Sequence, residues 1–269
     1  MFNMFEMSFN VQKGMYYTDV ISTDAYNIYY SDDISSQHCN FAVFSDVIPV
    51  DDVYDEVLAH FNKLKRPMVV YVDSNTSSEM KSLIEKKFKV TYSGLWLRYE
   101  GGELVFPEES KIDVKTVQTE EELEDFLEVF CNSYSKKFSH YGIDDVTAYV
   151  DSMRKNYKNP KYRSFVAYDG KKPVVVATVG VDNGFCLVFN QTTLEGYLNS
   201  PFSEAVWCEC MKFYKEVGGR SLCTRIINNQ SIERWYWNYG FKRVKSVYRL
   251  THDDAYMSSL RKNKCLDAG

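Results

Sequence analysis

Asn229 and Tyr236 stand seven residues apart, and Gly240-Phe241 begins four residues after Tyr236. The pattern puts Asn229 just beyond a strand, Ser221–Ile227, and Tyr236 on a helix from about Ser231 to Asn238. Gly240 then holds the position of a helix C-cap, and a last strand runs from Phe241 to Leu250. An asparagine at a strand end can donate to a carbonyl. A tyrosine on the following helix presents a phenol of pKa about 10, which suits a proton donor to a leaving thiolate. The competing reading makes Tyr236 one more core aromatic beside Trp235, Trp237 and Tyr239. Aromatics are 16% of this chain, with 21 Tyr and 17 Phe, so that reading has weight.

Other reactive side chains group less well. The seven cysteines are Cys39, Cys131, Cys186, Cys208, Cys210, Cys223 and Cys265. Their odd number and scatter suggest free thiols in a reducing cytoplasm. Cys208-x-Cys210 is the only close pair, and His38, His60, His140 and His252 add no matching ligands, so no metal is expected.

The elements that must position these residues are ordinary globular ones. The chain has 269 residues, 45% hydrophobic and 26% charged, which excludes a disordered, collagenous or low-complexity scaffold. At about 150 residues per domain this is one large or two small domains. The net charge of −5 disfavours nucleic acid as the main partner. No apolar run is long enough for a membrane span, and Met1–Glu6 has no basic n-region, so neither a membrane partner nor a secretory signal is expected. A cytoplasmic location follows as an expectation. Oligomeric state is not legible.

From Lys111 onward the pattern is clear. Lys111–Val117 alternates as a strand. Thr119 with Glu122 forms a capping box ahead of a helix to about Tyr134. Asp144-Asp145 opens a second helix, from Val146 to about Tyr157. Three strands follow as an antiparallel meander, Tyr162–Tyr168, Val174–Val181 and Phe185–Leu194, with turns at Asp169-Gly170 and Asp182-Asn183-Gly184. Ser200 is a suitable N-cap, with Pro201 in the first helical position and Gly218-Gly219 as the stop. The order from 111 is β-α-α-β-β-β-α-β-α-β.

The first hundred residues read as a shorter version. Phe41–Phe44 is strand-like, Asp51-Asp52 opens a helix to about Leu64, Pro67–Asp73 is a strand, Ser77–Lys87 a helix and Phe88–Tyr99 a strand. Asn75 lies 13 residues before Phe88, as Asn228 does before Phe241. We read an internal duplication, against the alternative of two unrelated βαβ patterns. The joint is the polar stretch Glu100–Ser110, giving domains 1–105 and 106–269.

The block Asn229-x6-Tyr236-x3-Gly240-Phe241, with the element order before it, resembles the GNAT acetyltransferase superfamily. The resemblance covers about Ile112–Leu250, with a degenerate copy at Met7–Tyr99. It implies a mixed, mostly antiparallel α/β sheet flanked by helices, in two tandem copies. It implies an enzyme, an N-acyltransferase carrying acetyl from acetyl-CoA to a primary amine of a small molecule or peptide. The backbone of Thr192, Thr193 and Leu194 would pair with the pantetheine arm, Asn229 would bind it, and Tyr236 would protonate the thiolate.

One motif departs from the family. The family's Arg/Gln-x-x-Gly-x-Gly/Ala loop cradles the coenzyme A pyrophosphate at a helix N-terminus. Here it falls on Leu198-Asn199-Ser200-Pro201-Phe202-Ser203. Leu198 has no donor and Pro201 no N–H. Ser200, Phe202 and Ser203 keep N–H groups for an anion, so binding is expected to be weakened. No acid lies on Phe185–Leu194 to act as base; the nearest titratable groups are Glu195, Asp182 and His140, of which Asp182 reads as a turn residue and His140 as a surface loop residue. In the N-terminal half, Leu83 stands in the Tyr236 place and Lys87 in the Gly240 place, so that half reads as structural or as a lid on the acceptor site. Two alternatives remain: a catalytically inactive binding or regulatory protein, and an acyltransferase taking a carrier-protein thioester.

Overall fold

A computed structural model describes residues 4–45, 48–73, 77–100, 112–137, 146–198 and 200–252. Among them, the chain runs α1 (Met4–Gln12), β1 (Asp19–Ser22), β2 (Tyr26–Tyr30), β3 (Phe41–Phe44), α2 (Val50–Leu64), β4 (Val69–Asp73), α3 (Ser77–Glu85) and β5 (Phe88–Tyr99). It continues β6 (Asp113–Thr116), α4 (Glu120–Lys137), α5 (Val146–Asn156), β7 (Tyr162–Asp169), β8 (Lys172–Asp182), β9 (Phe185–Thr193), α6 (Pro201–Glu216), β10 (Ser221–Ile227), α7 (Gln230–Trp237) and β11 (Phe241–His252). No helix among the described residues is long and apolar enough to cross a membrane. Asn75 and His140 lie outside the described residues.

Local chemistry explains most boundaries. The capping box ahead of α4 forms in both directions. The Glu122 N–H donates to Thr119 Oγ1 at 3.2 Å, and the Thr119 N–H donates to Glu122 Oε2 at 3.0 Å. The β8–β9 hairpin turns at Asn183 and Gly184, with φ of 47° and 78°, the two positive angles a tight hairpin needs. The α1 helix and strands β1 and β2 have no counterpart in the sequence reading. Their aromatic residues follow no clean period because α1 is buried on most sides, at Met4, Phe5, Ser8, Phe9, Val11 and Gln12.

Among the described residues one sheet takes in every strand, in the order β1-β2-β3-β4-β11-β5-β10-β9-β8-β7-β6. Alternation divides its side chains between two faces. Val69, Tyr71, Trp96, Cys223 and Leu187 join α1, α4 and α5 in one core. On the other face, Leu95, Leu97, Val188 and Leu222 pack with α6 and α7, and Val70, Val72 and Leu250 pack with residues of α2 and α3.

The two halves exchange their last strands. β5, from the first half, lies between β10 and β11. β11, from the second half, lies between β4 and β5. The central pairing is symmetric: Phe88 opposes His252 while Phe241 opposes Tyr99. β4 runs parallel to β3 and antiparallel to β11, and β10 runs parallel to β9 and antiparallel to β5. Pro67–Asp73 and Ser221–Ile227 therefore contribute strands to corresponding topological positions.

Backbone angles repeat as well. Lys65 and Gly218, each just past a long helix, have φ of 54° and 61°. Lys87 and Gly240, each just before a last strand, have φ of 67° and 79°. Lysine in that conformation costs about 1–2 kcal/mol where glycine pays almost nothing, yet the chain turns the same way.

Candidate functional site

β9 and β10 are parallel neighbours that separate. They pair from Phe185↔Ser221 to Val188↔Thr224 and no further. Beyond that point β9 continues as Phe189–Thr193 against β8 and β10 as Arg225–Ile227 against β5, without pairing to each other. The Thr224 hydroxyl closes the vertex, donating to the Val188 carbonyl at 3.1 Å.

β9 also carries a bulge here. Its register against β8 shifts between Val176↔Thr192 and Thr178↔Phe189, so Asn190 and Gln191 together oppose Ala177. Asn190 adopts φ of 53°, which asparagine tolerates better than most residues. Its side chain is pinned: Tyr16 donates to Oδ1 at 2.8 Å, and Nδ2 points at Thr178 Oγ1 and Met153 Sδ. A bulge takes one residue's backbone out of the ladder and redirects the side chains beside it.

Gln191 and Tyr236 meet at the vertex. The Tyr236 phenol donates to Gln191 Oε1, and Thr224 is its second polar neighbour. The ring is buried in an edge-to-face cluster with Trp207, Trp235 and Phe241, at centroid distances of 5.2, 4.9 and 5.4 Å. Burial pushes the phenol's pKa well above the ordinary tyrosine value. Tyr236 is thus a core aromatic by its ring and a vertex group by its hydroxyl.

The helix that carries Tyr236 is fixed at its N-terminal turn by two contacts. Asn229 is its N-cap: Oδ1 accepts from the N–H groups of Ser231 at 2.9 Å and Ile232 at 3.2 Å. The carboxamide oxygen of Asn229 is therefore spent on the helix, leaving the Nδ2 group as the donor. Glu233, buried on α7, takes a two-pronged bond from Arg243 on β11 at 2.7 and 2.6 Å.

The expected pyrophosphate loop lies between β9 and α6. Leu194 donates its N–H to Val174, so ladder alternation turns the Thr193 N–H and C=O away from β8. The Thr193 carbonyl faces Ser133 Oγ at 3.4 Å, and Thr193 Oγ1 meets Ser203 Oγ at 3.1 Å. Thr192 pairs with Val176, and Leu194 packs against the cores of both sheet faces. Glu195 opens an exposed 3₁₀ turn, and Leu198 is 51% exposed. Asn199 lies outside the described residues.

Ser200 occupies the N-cap position of α6 but makes no side-chain cap bond. Its hydroxyl oxygen is buried without a hydrogen-bond partner among the described residues. The sequence reading of a working serine cap is corrected here: the backbone is extended as a cap requires, but the hydroxyl does not reach the helix N–H groups. Phe202 instead anchors the turn edge-to-face against Tyr197 at 5.5 Å. Asp182 lies at the far hairpin beside Lys161.

Tyr236 was legible from its spacing. Gln191 and Asn190 were not, since a bulge depends on register with β8. In the first half, Leu83 occupies the position corresponding to Tyr236 and is completely buried.

No protein-family model matches the sequence, and no curated protein sequence does. Solved structures do. A GCN5-related N-acetyltransferase from Kribbella flavida is 15% identical, with a TM-score of 0.68 over 92% of this chain and 94% of that one. A GCN5-related N-acetyltransferase from Sphaerobacter thermophilus is 9% identical, with a TM-score of 0.64 over 84% and 76%. A tandem GNAT protein of the clavulanic acid biosynthesis pathway is 10% identical, with a TM-score of 0.56 over 78% and 74%. At these identities the likeness establishes the fold, a mostly antiparallel sheet flanked by helices as in GNAT proteins.

Proposed function

We propose that the chain is an N-acyltransferase whose thioester donor lies in the gap between β9 and β10. The observation that carries this reading is the Tyr236 hydroxyl at the vertex, bonded to a bulged strand, in a fold shared with N-acetyltransferases. The donor is acetyl-CoA in its simplest form, and the acceptor is a primary amine of a small molecule or peptide.

The chemistry follows from the groups at hand. The bulge frees a backbone group of β9 to face the thioester carbonyl, and a fixed N–H there stabilises the oxyanion of the tetrahedral intermediate. The amine nitrogen attacks the carbonyl carbon, and the C–S bond then breaks. The thiolate takes its proton from Tyr236, and the proton the amine sheds returns to the phenolate through water. Burial keeps Tyr236 protonated and ready to donate. The Thr193 N–H and C=O, turned from β8, suit the amides of a pantetheine arm, with Asn229 Nδ2 as a further donor.

The pyrophosphate would lie against the first turn of α6, where the helix dipole and the Phe202 N–H favour an anion; the Ser200 N–H already donates to the Tyr197 carbonyl at 3.2 Å and the Ser203 N–H to the Ser200 carbonyl at 3.3 Å, which leaves fewer donors than the sequence suggests. Leu198 and Pro201 contribute nothing there. That deficit favours a second reading, a binding or regulatory protein that has lost turnover, or an enzyme whose donor is a carrier-protein thioester. The discriminating experiment measures thiol release from acetyl-CoA with a panel of primary amines. Release that requires both amine and Tyr236 supports the first reading; none with any amine supports the second.

A further inference from the structure

Arg225 is the first residue of β10 beyond the vertex, because Thr224 is the last to pair with β9. Strand alternation sends its side chain to the face opposite Thr224. There it lies partly buried, with its guanidinium carbon 5.3 Å from the ring centre of Tyr71 and 5.6 Å from that of Trp96. Tyr17, Tyr92 and Cys39 are its other near neighbours.

No hydrogen bond or ion pair engages the guanidinium among the described residues; its contacts are the two aromatic faces. A second observation points the same way. Trp96, 1% exposed, has an indole N–H without an acceptor among the described residues. Arg225 and Trp96 face each other across β10 and β5. Donors buried in this way cost free energy unless an acceptor arrives.

Arg249 supplies the contrast. It opposes Tyr71 across β11 and β4, the counterpart of the Arg225–Trp96 pair with the roles swapped: Arg249 stands in the place of Trp96, and Tyr71 in the place of Arg225. Its guanidinium meets His38 Nε2 at 3.0 Å and Thr91 Oγ1 at 3.2 Å. The other arginine of these paired central strands is thus built into a polar network; Arg225 is not.

Resting on the acyl-transfer reading of the gap, we propose that Arg225 receives a carboxylate of the acceptor, so that the substrate is an amine bearing a carboxyl group. The guanidinium fork matches a planar carboxylate in two parallel bonds, and one positive charge balances one negative. A phosphate brings nearly two charges and tetrahedral oxygens, and the aromatic walls offer those nothing. Tyr236 and Arg225 flank the vertex from opposite faces, which sets the amine of such a molecule toward the thioester and its carboxylate toward the first-half residues Tyr71 and Trp96.

The test pairs each common L-amino acid with its primary amide, and adds O-phosphoethanolamine. Thiol release from acetyl-CoA and thermal stabilisation are both measured, on the full chain and on Arg225→Met and Arg225→Lys. Amino acids should exceed their amides in kcat/KM by about ten- to a hundredfold, the worth of a charge-assisted pair. The amide amine is less basic, so intrinsic reactivity favours the opposite order. In Arg225→Met that ratio should collapse towards one, chiefly through KM. Arg225→Lys, which keeps the charge without the fork, should retain only part of it and is the variant read if Arg225→Met does not fold. Equal use of acids and amides, an unchanged ratio in the variants, or a preference for the phosphorylated amine overturns the assignment. Stabilisation by amino acids that disappears in the variants, without thiol release, keeps Arg225 as a carboxylate site and removes the transfer reading. Thiol release to amines without acid preference does the reverse.

Discussion

The phenol of Tyr236 donates to Oε1 of Gln191 across the gap where β9 and β10 part. One partner comes from a helix capped by Asn229, the other from a strand bulged at Asn190. Tyr236→Phe removes the proton donor while keeping the ring in its aromatic cluster. Once chemistry is rate-limiting, turnover should fall by about 10²–10⁴ with little change in KM, since a general acid acts on the transition state. Steady-state kinetics on an accepted amine checks this; unchanged turnover returns Tyr236 to the core.

The same burial sets a pH signature. An exposed tyrosine loses its proton at about pH 10. Desolvation raises the Tyr236 phenol well above that, so it stays a donor throughout the neutral and mildly alkaline range. Turnover should therefore rise with pH as the acceptor amine deprotonates, with no descending limb from Tyr236 below about pH 10. A pH–rate profile whose descending limb lies lower, and vanishes in Tyr236→Phe, would contradict the assignment.

Leu198 and Pro201 test the anion site. Leu198→Arg with Pro201→Gly adds a charge, an N–H and a flexible φ at the start of α6. A charge-assisted bond of about 1.5–3 kcal/mol should tighten coenzyme A binding by about one to two decades. Calorimetry on wild type and double variant measures it. Tight binding already in the wild type would mean that other residues hold the phosphates.

Legibility in the sequence tracked the range of the interactions. Phe88–Tyr99 and Ser221–Ile227 match their strands to the residue, and the Thr119–Glu122 box forms as its spacing predicts, because turn and cap chemistry is local. The strand exchange was hidden because nothing within β5 says which neighbour it takes. The Asn190 bulge was hidden for the same reason. Arg225 carried no signal, because an arginine in a strand is remarkable only once its partners prove to be Tyr71 and Trp96. Asn229 was seen as a polar group at a strand end, but its use as a cap depends on where α7 begins.

The exchange makes the halves interdependent. Residues 106–269 alone lose β5, which leaves the edges of β10 and β11 unpaired at the centre of the sheet. Exposed central edges invite association. That fragment should not yield a monomer with a cooperative melt, whereas the full chain should. Sedimentation and thermal unfolding of both decide it; a stable monomeric fragment would show that β11 can close onto β10 unaided.

The central claim is that the gap beside Tyr236 holds a coenzyme A thioester with its phosphates at the first turn of α6. Ser203→Glu tests it directly. A carboxylate in that turn suits the helix dipole, so the fold should survive, but it repels a pyrophosphate. Thermal unfolding with acetyl-CoA is the measurement. At a hundred times the dissociation constant, wild type should gain about 2.7 kcal/mol, and Ser203→Glu should gain far less at the same concentration. No stabilisation of wild type at any soluble concentration, or equal stabilisation of both proteins, would contradict it.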